Sequence, residues 1–203
     1  MKQIRLKLSK MNMAQISVIL VVIGLFLGVL FANMFQSFYY ERMMNYHNII
    51  FAEIIREKIN YTGLFFYILK DNFKEFIVFW LLSITILGIP YMVLRLLYLG
   101  FSLGFFISVI AMLYGFKGIL LILAYEFPHG LIYLPIIIFS LYKGFGLCHS
   151  IYYYNRNYSV TIMSQLKNYI FLIIFLAVLL VLGSFLEAYL GSFFLKKTLG
   201  LFI

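Results

Sequence analysis

The chain has 203 residues, of which 65% are hydrophobic and 11% charged, and its formal net charge is +9. A soluble globular domain carries about 45–50% apolar and about 25% charged residues, so this composition excludes a water-soluble enzyme or binding module. The basic residues gather at the ends of apolar runs, which suits anionic lipid headgroups and control of insertion rather than a nucleic-acid groove.

The first ten residues hold Lys2, Arg5, Lys7 and Lys10 and no acid. Residues 11–40 are uncharged, with an apolar core at 16–32 long enough for a first membrane-spanning helix. That run exceeds a signal-peptide core and no A-x-A cleavage site follows it, so it reads as a retained anchor. Residues 41–75 then interleave five basic with five acidic residues. Among them Met43, Met44, Ile49, Ile50, Phe51, Ile54 and Ile55 recur partly at three- and four-residue intervals. The pattern predicts an amphipathic helix in an extramembrane loop, either a recognition element or a helix resting on the membrane interface.

Residues 76–116 contain a single charge, Arg95. As one helix these 41 residues would reach about 60 Å, twice a hydrocarbon core, so they are expected to form two spans. The spans are placed at 76–94 and 96–116, the first kinked or ended near Pro90. Arg95 is expected in the tight turn between them, its stem reaching to the headgroups. A short apolar piece, 118–125, follows Lys117. After it come the interruption Glu126-Phe127-Pro128-His129-Gly130 and a fourth apolar run, 131–142, that weakens toward Tyr152. A last span is placed at 168–186, ahead of a tail with Glu187, Lys196 and Lys197.

Each run is continuous rather than alternating, as helices require and barrel strands do not. The predicted fold is therefore all-α: a polytopic transmembrane bundle forming one integral membrane domain over residues 1–203, with 41–75 as its extramembrane loop. Five spans are expected, or six if the piece before Pro128 also crosses. With the N-terminus in the cytoplasm, eight basic residues fall inside and eight outside, so the raw count is a tie. The clean basic flank of the first helix favours that orientation, because the first helix usually dominates.

Two GxxxG spacings lie within spans: Gly24 and Gly28, extended by Ala32, and Gly100 and Gly104. Small residues four apart share a helix face and let backbones approach closely. A partner interface uses that device, and so, more commonly, does packing among a chain's own helices. Glu126, Pro128, His129 and Gly130 form the densest polar and helix-breaking cluster. At membrane depth such groups would mark a functional site; at the surface they would form a solvated turn. Glu187 closes the last span, where interfacial placement also accounts for it.

Catalysis finds little support. His47, His129 and His149 make no H-E-x-x-H pattern, and Cys148 and His149 are helix neighbours pointing apart. A single cysteine excludes an internal disulfide, and neither a cofactor nor a small-molecule substrate is expected.

The run Leu87-Gly88-Ile89-Pro90, followed by Gly100-Phe101-Ser102-Leu103-Gly104-Phe105, Lys117-Gly118 and Pro128-His129-Gly130-Leu131, resembles the stage II sporulation protein M family. The length, the basic tail ahead of an early span and Ser184-Phe185-Leu186-Glu187-Ala188-Tyr189 fit it too, from about residue 5 to residue 192. The resemblance implies a membrane protein of endospore-forming bacteria, used in engulfment of the forespore, in the mother-cell membrane at the sporulation septum. Similar proteins act with two anchored peptidoglycan hydrolases, sporulation proteins D and P. A non-enzymatic scaffold that raises their effective local concentration is thus the expectation, with 41–75 and the glycine faces as contact surfaces. Many relatives carry an acid three residues beyond the glycine of Pro-His-Gly, where this chain has Tyr133, so the resemblance implies no activity that rests on that acid. The alternative is a transport subunit, a small channel or an exporter permease component, built on the broken helix near Pro128 with Glu126 and His129.

Overall fold

A computed structural model describes residues 13–56, 58–153 and 158–200. Lys2, Arg5, Lys7, Lys10 and Arg156, which entered the orientation count, lie outside the described residues. The helices are α1 (Met13–Met34), α2 (Gln36–Arg56), α3 (Tyr61–Ser83), α4 (Gly88–Tyr114), α5 (Lys117–Glu126), α6 (Gly130–Tyr153) and α7 (Tyr158–Leu186). A π-helical turn, Glu187–Gly191, joins α7 to α8 (Ser192–Leu199). Among the described residues there is no strand. Four helical stretches are long and apolar enough to cross a bilayer: Gln15–Met34, Gly88–Tyr114, Gly130–Tyr152 and Tyr169–Leu199. The protein is an all-α membrane bundle.

Two expected boundaries are corrected. The helix placed at 76–94 does not exist as a unit: α3 starts at Tyr61, inside the charged stretch, and ends at Ser83. Asn60 starts it, its Oδ1 accepting from the Gly63 backbone N–H at 3.0 Å, a preferred N-cap arrangement. Pro90 does not end a helix. It sits in the first turn of α4, where a missing N–H leaves no bond unmade. The chain reverses instead through residues 84–87, and Arg95 lies in the body of α4. The second correction concerns the last span: its helix starts at Tyr158, its apolar stretch at Tyr169, and it carries on through the π turn to Leu199.

The interhelical pairs define the path. Glu75 meets Arg95 and Phe79 meets Tyr91, so α3 and α4 form an antiparallel hairpin. Gly118 abuts Ile110 and Tyr125 meets Phe106, so α5 turns back along α4. Tyr133 reaches Asn72 and Tyr152 reaches the Ile84 carbonyl, so α6 continues in the direction of α3. The pair α5–α6 is thus one crossing broken in two. Its break has a local cause, since the residue before proline is driven to extended backbone, and Phe127 takes φ −95°, ψ 137°. The core is built from Phe76, Phe79 and Trp80 of α3, Met92 and Leu96 of α4, Ile136, Leu141, Leu147 and Ile151 of α6, and Leu176 and Leu180 of α7. Trp80, the single tryptophan of the chain, is 6% exposed.

Helix α1 joins the bundle chiefly through α4. A Cβ on Gly24 would strike the Leu97 carbonyl, and one on Gly28 the Phe101 carbonyl. From the other side, a Cβ on Gly100 would strike the Val21 carbonyl and one on Gly104 the Leu25 carbonyl. Ala32 packs on Val109 and Leu113, and Asn33 donates to Ser108 Oγ at 3.3 Å. Both glycine stripes face each other within one chain, α1 and α4 running in the same direction. Lipid offers no hydrophobic drive for association, so backbone-to-backbone approach supplies the van der Waals contact that holds α1.

Helix α2 lies across the end of α4. Tyr39 Oη donates to the Ala32 carbonyl, Met43 and Met44 cover Val109 and Leu113, and Phe51 stacks on Tyr114 at 5.9 Å between centroids. Ile54 reaches Ile110, Leu121 and Leu199. Its opposite face exposes Glu41, Arg42, Asn45, Ile49, Glu53 and Arg56.

A candidate site of polar groups at bilayer depth

The α1–α4 seam fixes depth. Helix α1 carries no ionisable residue from Met13 to Met34, so its midpoint, near Gly24, marks the middle of the hydrocarbon layer. Gly24 lies against the Leu97–Phe101 backbone of α4. Arg95 stands five residues before Gly100, about 8 Å along the helix, well within a half-thickness of about 15 Å. Phe106, which meets Tyr125 at 5.0 Å between centroids, stands about 9 Å to the other side. The polar groups between these two levels are therefore at membrane depth.

Arg95 pairs with Glu75 through two hydrogen bonds from its guanidinium. Their side chains are 33% and 48% exposed on the bundle surface. One helical turn away, Asn72 Nδ2 donates to Tyr133 Oη at 2.7 Å and to Ser184 Oγ at 3.1 Å. Tyr133 Oη in turn donates to Glu187 Oε2 at 2.7 Å, and Ser184 Oγ donates to the Leu180 carbonyl at 2.9 Å. This network ties α3, α6 and α7 to one another through groups that lipid could not solvate. Glu187 therefore belongs to the interior of the bundle. A cavity of about 160 Å³ lies between the network and the ion pair, with Asn72, Glu75, Arg95, Tyr133 and Ser140 on its polar side. Ser140 Oγ is buried and has no hydrogen-bond partner.

The cluster at the α5–α6 break borders this network. His129 is 7% exposed, its ring edge-on to Tyr125 and to Tyr133, and its Nδ1 makes no hydrogen bond. A Cβ on Gly191 would come 3.3 Å from that Nδ1, so the π turn presents a bare backbone to the imidazole. Gly130 plays the same part for Glu126, whose Oε2 would lie 3.1 Å from an added Cβ. Pro128 sets the break and brings these two glycines and two ionisable groups together.

The predicted residues thus separate into two sets. Glu126, Pro128, His129, Gly130 and Glu187 converge; Gly24, Gly28, Ala32, Gly100 and Gly104 form the α1–α4 seam. Arg95 joins the first set from below, through Glu75. Sequence reasoning missed Glu75, Asn72, Tyr133 as a network centre, and Ser184. No sequence signal pointed to the ion pair: only with the turn at 84–87, and not at Arg95, does pairing outward bring 75 within a residue of 95. Cys148 and His149 diverge as expected of helix neighbours, Cys148 Sγ donating to the Thr85 carbonyl at 3.4 Å and His149 being exposed beside Phe145. Among the described residues no three of His, Cys, Asp and Glu gather to hold a metal ion.

The network has a measurable weight. Tyr133→Phe removes the hydroxyl that serves Asn72 and Glu187 and leaves both short of a partner. The expected loss is about 1–3 kcal/mol of stability, read as a lower midpoint in denaturant titration of the detergent-solubilised protein. An unchanged midpoint would show that water or another side chain takes over both bonds.

Comparison with family models gives a match over residues 17–192 to the family described as stage II sporulation protein M. No curated protein and no solved structure matches the chain.

Proposed function

Because the chain belongs to the stage II sporulation protein M family, we propose that it is a non-enzymatic membrane scaffold tethering the septal peptidoglycan hydrolases, sporulation proteins D and P, during forespore engulfment. Membership makes it a sporulation-related membrane protein, and the family is not a known enzyme family. The tethering role is carried by one observation, the placement of α2. That helix is clamped along one face by Tyr39, Met43, Met44 and Phe51, and its other face is left open with charges of both signs. The outward face of a helix held in this way, outside the apolar spans, closes no core and is a surface for partners. With the N-terminus cytoplasmic, α2 stands on the wall side of the membrane, beside the substrate of the hydrolases. Holding two enzymes on one platform raises their effective concentration at the septum without any chemistry by the scaffold.

The test is affinity isolation of the tagged protein from sporulating cells in mild detergent, with mass spectrometry of what accompanies it. The D or P hydrolase is expected with the native chain. A variant combining Glu41→Lys, Arg42→Glu and Glu53→Lys should lose that recovery by on the order of tenfold, at unchanged abundance in the membrane, since each charge-assisted contact is worth about 1 kcal/mol or more. Recovery of an ATPase or a second permease in place of the hydrolases would sink the scaffold and favour the transport subunit.

A further inference from the structure

Helix α3 presents a surface that lipid does not suit. Its outer face exposes Lys70, Asp71 and Lys74 together with half of Glu75, and Tyr67, Val78 and Leu81 are 73%, 39% and 60% exposed on the same side. The α3–α4 hairpin fixes the depth of this face. Glu75 is level with Arg95, and pairing upward from there sets Lys70 and Asp71 level with Gly100, the middle of the α1–α4 seam. Lys70, Asp71 and Lys74 thus stand near the bilayer centre and point away from their own bundle, and Glu75, held by Arg95, borders them. Intramembrane charges ordinarily face a bundle interior or another polar surface, because hydrocarbon solvates them poorly.

We infer that the outer face of α3 is covered by the same face of a second copy of this chain, in a two-fold dimer. The argument is charge complementarity. At about 3.6 residues per turn, Lys70 and Lys74 fall on one flank of the line through Tyr67 and Val78, while Asp71 and Glu75 fall on the other. Two copies inserted in the same orientation are related by an axis along the membrane normal, so their α3 helices run parallel across the interface. In a parallel helix pair each flank of one helix meets the opposite flank of its mate. The basic flank of each copy therefore meets the acidic flank of the other, and Tyr67 and Val78 meet across the axis. A face with net charge near zero and separated stripes of opposite sign is self-complementary in this geometry. It sets Lys70 and Lys74 of each copy against Asp71 and the outer edge of Glu75 of the other. The ion pair with Arg95 stays within each copy and draws Glu75 toward the inner edge of the contact.

The experiment uses the full chain in native membranes, with Cys148 replaced by Ala and single cysteines placed by Tyr67→Cys or Val78→Cys. Phe171→Cys on α7, 82% exposed, is the control. Oxidation should give disulfide-linked homodimers at the two α3 positions on the order of tenfold above the control. A copy bearing Lys70→Glu and Lys74→Glu should lose self-linkage through Tyr67→Cys, and a copy bearing Asp71→Lys should weaken it. Mixed in one membrane and told apart by tags of different size, these two copies should link to each other again. The single-cysteine arm keeps the test decisive if either charge variant is poorly folded, because those chains retain all native charges. Linkage no higher than at the control position overturns the inference. So does linkage of the α3 cysteines only to another membrane protein, which would assign the face to that partner.

Discussion

Arg95→Gln, with Glu75 left in place, is expected to be among the most damaging single substitutions in this chain. It leaves a carboxylate about 8 Å from the bilayer centre without its cation. Breaking a buried ion pair by removing one partner costs about 3–5 kcal/mol, and the partial exposure of both side chains puts this case near the lower end. Glu75→Gln should do similar harm by stranding the guanidinium. The double variant should be less damaged than the sum of the two, because no lone charge remains. A double-mutant cycle on unfolding free energy, measured by denaturant titration in bicelles, gives the coupling directly. Additive effects would show that the two side chains do not sense each other in the membrane and would remove the pair from the site.

The second large effect is steric. Gly28→Leu and Gly104→Leu each place a side chain where backbone of the opposing helix already lies, and even the first carbon of that side chain has no room. Neither neighbour can rotate away as a flexible side-chain tip would, so α1 must lift from α4. Overpacking costs about 1–3 kcal/mol when side chains can adjust; with backbone on both sides, about 3 kcal/mol or more is expected. The readout is twofold: abundance of the protein in membranes, and disulfide linkage between Asn33→Cys and Ser108→Cys, whose native side chains meet across the seam at 3.3 Å, in the Cys148→Ala background. Gly146→Ala is the control, since its Cβ would sit 3.4 Å from Tyr169 Oη in ordinary contact. Both leucine variants should fail both assays while the alanine control passes. A Gly28→Leu protein that keeps native abundance would mean that α1 reaches its place by other contacts.

The two predictions differ in how far the sequence could have led to them. The helical membrane bundle is legible because long uncharged runs leave the backbone no alternative to bonding within itself. Small residues four apart announce close helix approach, yet they carry no address, and nothing in the order of residues says that Gly24 and Gly28 seek Gly100 and Gly104. The stretch around α3 reads as a loop for a sound physical reason: ionisable residues such as Lys70, Asp71, Lys74 and Glu75 usually mark the outside of a bilayer. What overrides that rule is tertiary: Arg95 from the next helix, and the apolar side formed by Phe76, Phe79 and Trp80, which drives α3 into the core. Pro90 misled by its reputation as a breaker, which does not extend to the first turn of a helix. The site at the α5–α6 break was visible as composition, while its depth followed only from the levels of Phe106 and Tyr125.

Trp80 adds a practical property to this architecture. It is the one indole in the chain, and its ring lies edge-on to Phe76 and Phe79 within the layer where α3, α4 and α6 meet. Its Nε1 finds no acceptor there, so the ground state is held in a dry, weakly polarising environment. Ultraviolet emission from the intact protein thus comes with tyrosine background but from a single tryptophan position, and its wavelength measures how tightly α3 is seated. The molecule carries its own optical gauge about 8 Å along α3 from the Glu75–Arg95 pair, and seating, slippage or release of that helix can be followed in real time with no label attached.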